Sequence, residues 1–259
     1  MRIGLIGAGA IGRFLLQEIN GKSRADLMVV SVFVRNKAKY EELAKTYNVA
    51  LYQEMENFLA SDADIIVEAA TVEAAQVLLP QIIPHKSALA ISIGAFRDAA
   101  FYEKMEEISK QSKQKIYLPS GAIGGLDIVQ NANILGGVEK VTLVTRKPAA
   151  SLVDHPVETE EIIFEGSAGE AIRAFPKNIN VSIILSLAGI GMEQTKVQII
   201  ADAAATSNSH SVTVEGDFGK ASLTVENQPL PENPKTSYLA AMSVLGTLQR
   251  LNQSIKIGE

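Results

Sequence analysis

Two stretches of this 259-residue chain carry residue types at spacings that can do chemistry. The first is "GLIGAGAIGRF", in which Gly7, Gly9 and Gly12 stand at G-x-G-x-x-G spacing. Glycines placed this way make a tight turn at Gly7 and let the backbone N–H groups of Gly9, Ala10 and Ile11 approach a pyrophosphate. At Gly12 they let a helix close on a strand. The second is "NSHSVTVEGDFG", where His210 marks the change from a polar loop to the alternation of Val212 and Val214. An imidazole with its ordinary pKa near ~6.5 can take or give a proton around neutral pH. The same ring can also be a plain surface histidine at a strand end. His85, in "PHK", and His155, beside Asp154, read as loop residues. With no cysteine and no carboxylate–histidine cluster at ligand spacing, no metal site is expected.

Elements must position these groups. Apolar residues Ile3–Ile6 precede the glycines as a strand, and Phe14, Leu15 and Ile19 follow at helical spacing. The strand segments "LMVVSVFV", 50–52, "ADIIVEAA" and "SALAISIGAF" then alternate with the helical segments "KAKYEELAKTYN", "EMENFLAS", "VEAAQVLLPQII" and "AAFYEKMEEISKQS". Strands alternating with helices predict βαβ units, hence an α/β protein with an N-terminal Rossmann doubly wound parallel sheet. Small residues Ala69, Ala70 and Thr71 at the carboxyl end of a strand let a dinucleotide lie close. An NAD-specific site has an acidic residue after the second strand, whereas this chain has Arg35 and Asn36. Arg35 can pair with a 2′-phosphate or simply cap a solvated strand end, and Asn36 can hydrogen-bond the ribose. The cofactor expected is therefore NADP or NAD.

The second half opens with "KIYLPSGAIGGLD", where two glycine clusters follow a strand. They allow close backbone approach or make an interdomain turn. Apolar strands then mix with short helices, which predicts a second α+β domain with a mixed sheet. The divisions expected are 1–118 for nucleotide binding, 119–232 for substrate, and a C-terminal segment 233–259. A formal net charge of -5 without a long basic run argues against nucleic acid and against an anionic membrane surface. No apolar run reaches the ~18 residues that span a bilayer. A cytoplasmic protein is the simplest reading.

The segments "GLIGAGAIG", "PSGAIGGLD" (119–127), "FPKNINV" (175–181), "NSHSVTVEGDFG" (208–219) and "VENQPLPENPKTSYLA" (225–240) together resemble the L-aspartate dehydrogenase family, over essentially the whole length. The resemblance implies oxidative deamination of L-aspartate to iminoaspartate, then oxaloacetate and ammonia, in the supply of NAD biosynthesis. It makes His210 the catalytic candidate and places Ala122 and Asn180 against the nicotinamide cofactor. It also implies a homodimer, and a C-terminal helix that returns to the nucleotide domain. The apolar spacing Leu239, Met242, Leu245 and Leu248 fits that helix, with Asn233-Pro234 as its entry signal. A substrate with two carboxylates calls for cations and fixed donors. Lys177 and Lys235 are candidates beside Ser120, Asn178 and Thr236, although each lysine also reads as a solvated surface charge. Arg146 in "VTRKP" is an outside candidate. The chain departs from the family at Asp202-Ala203 and Thr206-Ser207, where Asp-Pro and then a basic residue are common. Two other readings stand beside this one: a dehydrogenase or imine reductase for another amino acid, and a non-catalytic NADP(H) sensor, which has no need of an acid/base.

Overall fold

The computed structural model of the chain describes residues 1–175 and 180–257, the side chain of Lys235 excepted. It divides into two units, residues 1–119 with 241–256, and residues 120–240 with Ile257.

The first unit alternates strands and helices in chain order: β1 (Arg2–Ile6), α1 (Ala10–Leu16), β2 (Met28–Phe33), α2 (Glu41–Tyr47), β3 (Ala50–Tyr52) and α3 (Met55–Leu59). It continues with β4 (Ile65–Glu68), α4 (Val72–Ile82), β5 (Ser87–Ala90), α5 (Ala99–Ser112) and β6 (Ile116–Tyr117). The strand order is β3-β2-β1-β4-β5-β6 and every pairing is parallel. This is the doubly wound Rossmann sheet that the alternation predicts. Parallel strands covered on both faces read as apolar runs, and Ile3, Leu5, Val29, Val32, Ile65 and Val67 are all buried. Because the order reverses between β1 and β4, the carboxyl ends of those two strands open a crevice.

The segment "SALAISIGAF" behaves differently from the single strand expected. Only Ser87–Ala90 pairs as β5, and Ile93–Arg97 turns into a 3-10 helix. The chain leaves the sheet there because the carboxylate of Glu68 draws in the Ser92 N–H and hydroxyl.

In the second unit come α6 (Leu126–Asn133), β7 (Val138–Pro148), β8 (Glu160–Ser167), α7 (Ala168–Ala174), α8 (Asn180–Ala188), β9 (Lys196–Asp202), β10 (Ser209–Gly216) and β11 (Gly219–Glu226). Their sheet runs β11-β10-β7-β9-β8, with β7–β9 parallel and the other pairs antiparallel, so it is mixed as expected. Alternation sends Val141, Leu143 and Thr145 of β7, Val197 and Ile199 of β9, and Val212 and Val214 of β10 to one buried face. Helices α6 and α7 pack on that sheet and α8 packs on both of them. Helix α7 is fixed at its start by a capping box. The Ser167 hydroxyl accepts from Glu170 N–H, and the Glu170 side chain accepts from Ser167 N–H.

The tail also departs from expectation. Asn233–Ser237 forms a strand, β13, paired with β12 (Pro229–Leu230), and the last helix, α9, begins only at Tyr238. Asn233-Pro234 is therefore not the helix entry, because its backbone is held extended by the pairing of Leu230 with Asn233 and Pro229 with Ser237. Helix α9 ends at Asn252, and its Val244, Leu245 and Leu248 join the core that contains Ile3, Leu5, Leu15 and Val67. Met242 is 47% exposed, so Ala241 and Val244 take the inward face instead. Each fully buried aliphatic side chain of this kind contributes about 1.5–3 kcal/mol.

Candidate active site

The crevice of the first unit is shaped by backbone. Gly7 has φ +93°, and a Cβ there would stand 2.6 Å from the Ala69 carbonyl oxygen. A Cβ on Gly12 would stand 2.4 Å from the Gly7 carbonyl oxygen. These two glycines are demanded by the approach of the turn to its neighbours. Gly9 is different, because a Cβ there would meet nothing within 4 Å. The first intrahelical bond of α1 runs from Arg13 N–H to the Gly9 carbonyl, which leaves the N–H groups of Ala10, Ile11 and Gly12 with no helical acceptor. Open space over a helix start whose N–H groups lack acceptors suits a pyrophosphate. The dinucleotide implied by the sequence fits these residues.

Across the crevice, β4 ends in Glu68, which is completely buried. Its carboxylate accepts from Ala70 N–H at 2.8 Å, Ser92 N–H at 3.2 Å and Ser92 Oγ at 2.9 Å. Burial pushes this carboxyl's pKa up, against the pull of those donors. Glu68 thereby ties the loop carrying Ala69, Ala70 and Thr71 to the turn that follows β5. Ala70 and Thr71 are exposed, and Thr71 caps α4 by accepting from Ala74 N–H at 3.1 Å. Arg35 and Asn36 follow β2 as exposed residues. The Arg35 carbonyl accepts from Gln53 Nε2, and its guanidinium makes no salt bridge among the described residues.

His210 is not a surface histidine. It lies on β10 at 6% exposure, opposite Thr145 of β7 and Val225 of β11. Its Nδ1 is 2.9 Å from Thr145 Oγ1. Burial, helped by the positive charge of Lys147, lowers its pKa to about 4. The near-neutral value expected for an unperturbed ring therefore does not apply, and the ring is neutral at pH 7. With its proton on Nδ1 and donated to Thr145, Nε2 keeps a lone pair that can accept a proton.

Asn227, buried just beyond β11, draws the neighbouring segments together. Its N–H donates to the Asn208 carbonyl at 2.8 Å and its Nδ2 to the Ala122 carbonyl at 3.0 Å, while its Oδ1 accepts from Ser237 Oγ. One side chain thus connects the Ala122 turn, the start of the His210 strand and the entry to α9. Around Ala122 the second glycine cluster leads into α6. A Cβ on Gly124 would stand 2.9 Å from Leu223, and Gly125, at φ +76°, starts α6.

The remaining candidates are scattered. Ser120 is half-buried, Asn180 is the exposed first residue of α8, and Thr236 accepts from Asn233 Nδ2 at 3.1 Å. Lys177, Asn178 and the side chain of Lys235 lie outside the described residues. Arg146 faces away from His210, paired with Glu160 and, at 3.5 Å, with Asp202. His85 is exposed and His155 pairs with Glu161 at 2.7 Å on the surface. No group able to hold a metal ion occurs among the described residues. Sequence reading missed Glu68, Asn227, Thr145 and Lys147. The available signals were an acidic residue ending an apolar strand and an asparagine in the quoted "VENQ"; Thr145 and Lys147 gave none, because their parity depends on the β7–β10 register.

A family model described as "Aspartate dehydrogenase, C-terminal" matches residues 127–251, and one described as "Homoserine dehydrogenase, NAD binding domain" matches residues 7–119. The L-aspartate dehydrogenase of Methanosarcina mazei is 39% identical over 272 residues, covering 100% of this chain and 99% of the relative. That of Methanocaldococcus jannaschii is 35% identical over 268 residues with the same coverage. The crystal structure of aspartate dehydrogenase from Thermotoga maritima superimposes with a TM-score of 0.80 at 31% identity, covering 99% of each chain.

Proposed function

The chain belongs to the L-aspartate dehydrogenase family, and on that premise we propose that it oxidises L-aspartate to iminoaspartate, with His210 as its acid/base. The observation that carries the assignment of His210 is its burial: an imidazole neutral at pH 7 whose Nδ1 lies 2.9 Å from Thr145 Oγ1; with Nδ1 as the donor of that bond, Nε2 is left to accept a proton.

The nicotinamide dinucleotide supplies the hydride acceptor. Gly9, Ala10, Ile11 and Gly12 would hold its pyrophosphate at the helix start, with Gly7 making the turn while its own N–H is donated to the Phe33 carbonyl, and Ala69, Ala70 and Thr71 would border it on the β4 side. Arg35 and Asn36 take the adenosine ribose, with Arg35 pairing a 2′-phosphate, so that NADP is accepted along with NAD. Ala122 and Asn180 would face the nicotinamide end.

His210 takes the proton that the substrate ammonium must lose before its α-carbon can be oxidised. When iminoaspartate is hydrolysed to oxaloacetate and ammonia, the same ring, once it has returned its first proton to solvent, takes a proton from the attacking water. Iminoaspartate that leaves first is a precursor for NAD biosynthesis. Ser120 and Thr236 offer hydroxyls to the substrate, and Lys177, Asn178 and Lys235 complete the set proposed for it. A cytoplasmic location fits a chain in which no described helix is long and apolar enough to cross a membrane.

The chain is proposed to act as a homodimer. On the outer face of the second sheet, Ser211 pairs with Thr224 at 2.9 Å and Thr213 with Ser222 at 3.3 Å, while Thr142 Oγ1 is buried without a partner. Short hydroxyl side chains let a second sheet approach face to face at about 10 Å. Light scattering after size exclusion should give twice the 27.7 kDa chain mass.

Initial rates with NAD and NADP, on L-aspartate, D-aspartate, L-glutamate and L-alanine, test the activity. Turnover confined to L-aspartate is expected. His210→Ala should abolish it while leaving cofactor affinity within about twofold. Cofactor binding without turnover of any of the four amino acids would refute the assignment in favour of another amino acid or a sensor.

A further inference from the structure

We propose that Lys147 is the cation that receives one carboxylate of the dicarboxylic substrate beside His210; this rests on the aspartate reading and adds its charge-recognition residue. The placement follows from the sheet register. His210 stands opposite Thr145 across the β7–β10 pair, with no register break until Glu215. Successive side chains along a strand alternate between faces. Thr145 and Lys147 therefore share the face of His210, and Arg146 between them is turned to the other. The ion pairs agree with that parity: Arg146 is engaged by Glu160 and Asp202, whereas the charge of Lys147 acts on the His210 ring.

The chemistry follows from the surroundings. Lys147 is half-buried, and burial depresses its pKa. The charge of Lys147 disfavours protonating the ring, and a cation at this place attracts an incoming anion. A carboxylate docked on Lys147 neutralises that charge and holds the substrate within range of Nε2. The same anion raises the basicity of His210 once substrate is present, so that the ring becomes a stronger base when it has a proton to take. Among the described residues Lys147 is the charged group that acts on His210. The strand partners Thr145 and Val225 carry no charge.

The full chain is assayed as wild type, Lys147→Met and Lys147→Arg, with L-aspartate as substrate and succinate as a non-reacting dicarboxylate. Removing one partner of a desolvated charge pair corresponds to a rise in KM on the order of 100-fold for Lys147→Met. The succinate inhibition constant should rise in parallel, cofactor affinity should stay within about twofold, and Lys147→Arg should recover part of the loss. Histidine NMR supplies a readout that a merely structural role would not move. Succinate should raise the His210 pKa in the wild type and leave it unmoved in Lys147→Met, whose free-state value starts higher. A KM for L-aspartate and a succinate constant within about threefold of wild type in Lys147→Met would overturn the proposal while leaving the aspartate reading intact. Failure of the unaltered chain to turn over L-aspartate would overturn both.

Discussion

Burying His210 makes stability depend on pH in a way that can be isolated. In the unfolded chain a histidine titrates near ~6.5, and in the folded chain this one titrates at about 4. The folded value is depressed, so its contribution is fully present above pH ~6.5 and is lost as pH falls toward 4, because the unfolded state gains a proton that the folded state refuses. The complete loss amounts to about 3 kcal/mol, of which about 2 kcal/mol has gone by pH 5. Urea unfolding of wild type and His210→Gln at pH 7.5 and pH 5.0 reads this directly. Glutamine keeps a polar group for Thr145 but cannot titrate. Taking the difference of the two pH differences removes the carboxylates and the exposed His85 and His155, which both proteins share. Wild type should lose about 2 kcal/mol more than the variant between the two pH values. Loss by the same amount in both proteins, within ~0.5 kcal/mol, would show that the ring is not held neutral by burial, and the account of His210 as a desolvated base would fail.

The glycines of the dinucleotide turn should separate by function. Gly9→Ala should keep its melting temperature yet weaken cofactor binding by about tenfold or more, since its Cβ enters empty space that a pyrophosphate needs. Gly12→Ala should lower the melting temperature by several degrees, because the new methyl meets the Gly7 carbonyl and outweighs the ~1 kcal/mol that helix propensity offers. Arg35→Asp should cut affinity for NADP by roughly 10- to 100-fold with little loss for NAD, as titration calorimetry would show. Leu248→Ala, in a completely buried site, should destabilise the chain by about 2–5 kcal/mol in chemical denaturation while leaving the KM for L-aspartate unchanged.

The parallel sheet was legible because each strand is a short apolar run followed by an amphipathic helix, a pattern local enough to read residue by residue. The glycine turn was legible because close backbone approach tolerates no other residue at Gly7 and Gly12. Where expectations failed, a distant partner had intervened. The stop after Ala90 depends on Glu68, more than twenty positions earlier, and the extended Asn233–Ser237 depends on pairing with Pro229–Leu230. His210 was legible as a candidate, but its burial and lowered pKa come from β7 and β11, which lie beside it only after the sheet assembles. The parity separating Lys147 from Arg146 becomes meaningful only once the register with β10 is known. Asn227 could not be read as a hub, because the three groups that it binds lie at Ala122, Asn208 and Ser237.

Helix α9 has a consequence for how the chain is made. The core of the first unit is finished by Val244, Leu245 and Leu248, which leave the ribosome only after residues 120–240 of the second unit. At about 5–20 residues per second, residues 1–119 spend about 6–25 s without that cover. During this interval the nascent segment exposes the apolar side chains that α9 later shields, and it is a natural client for chaperones. Because residues 241–256 belong to the first unit, a fragment cut after residue 119 should be poorly soluble even though all six strands of its sheet are present.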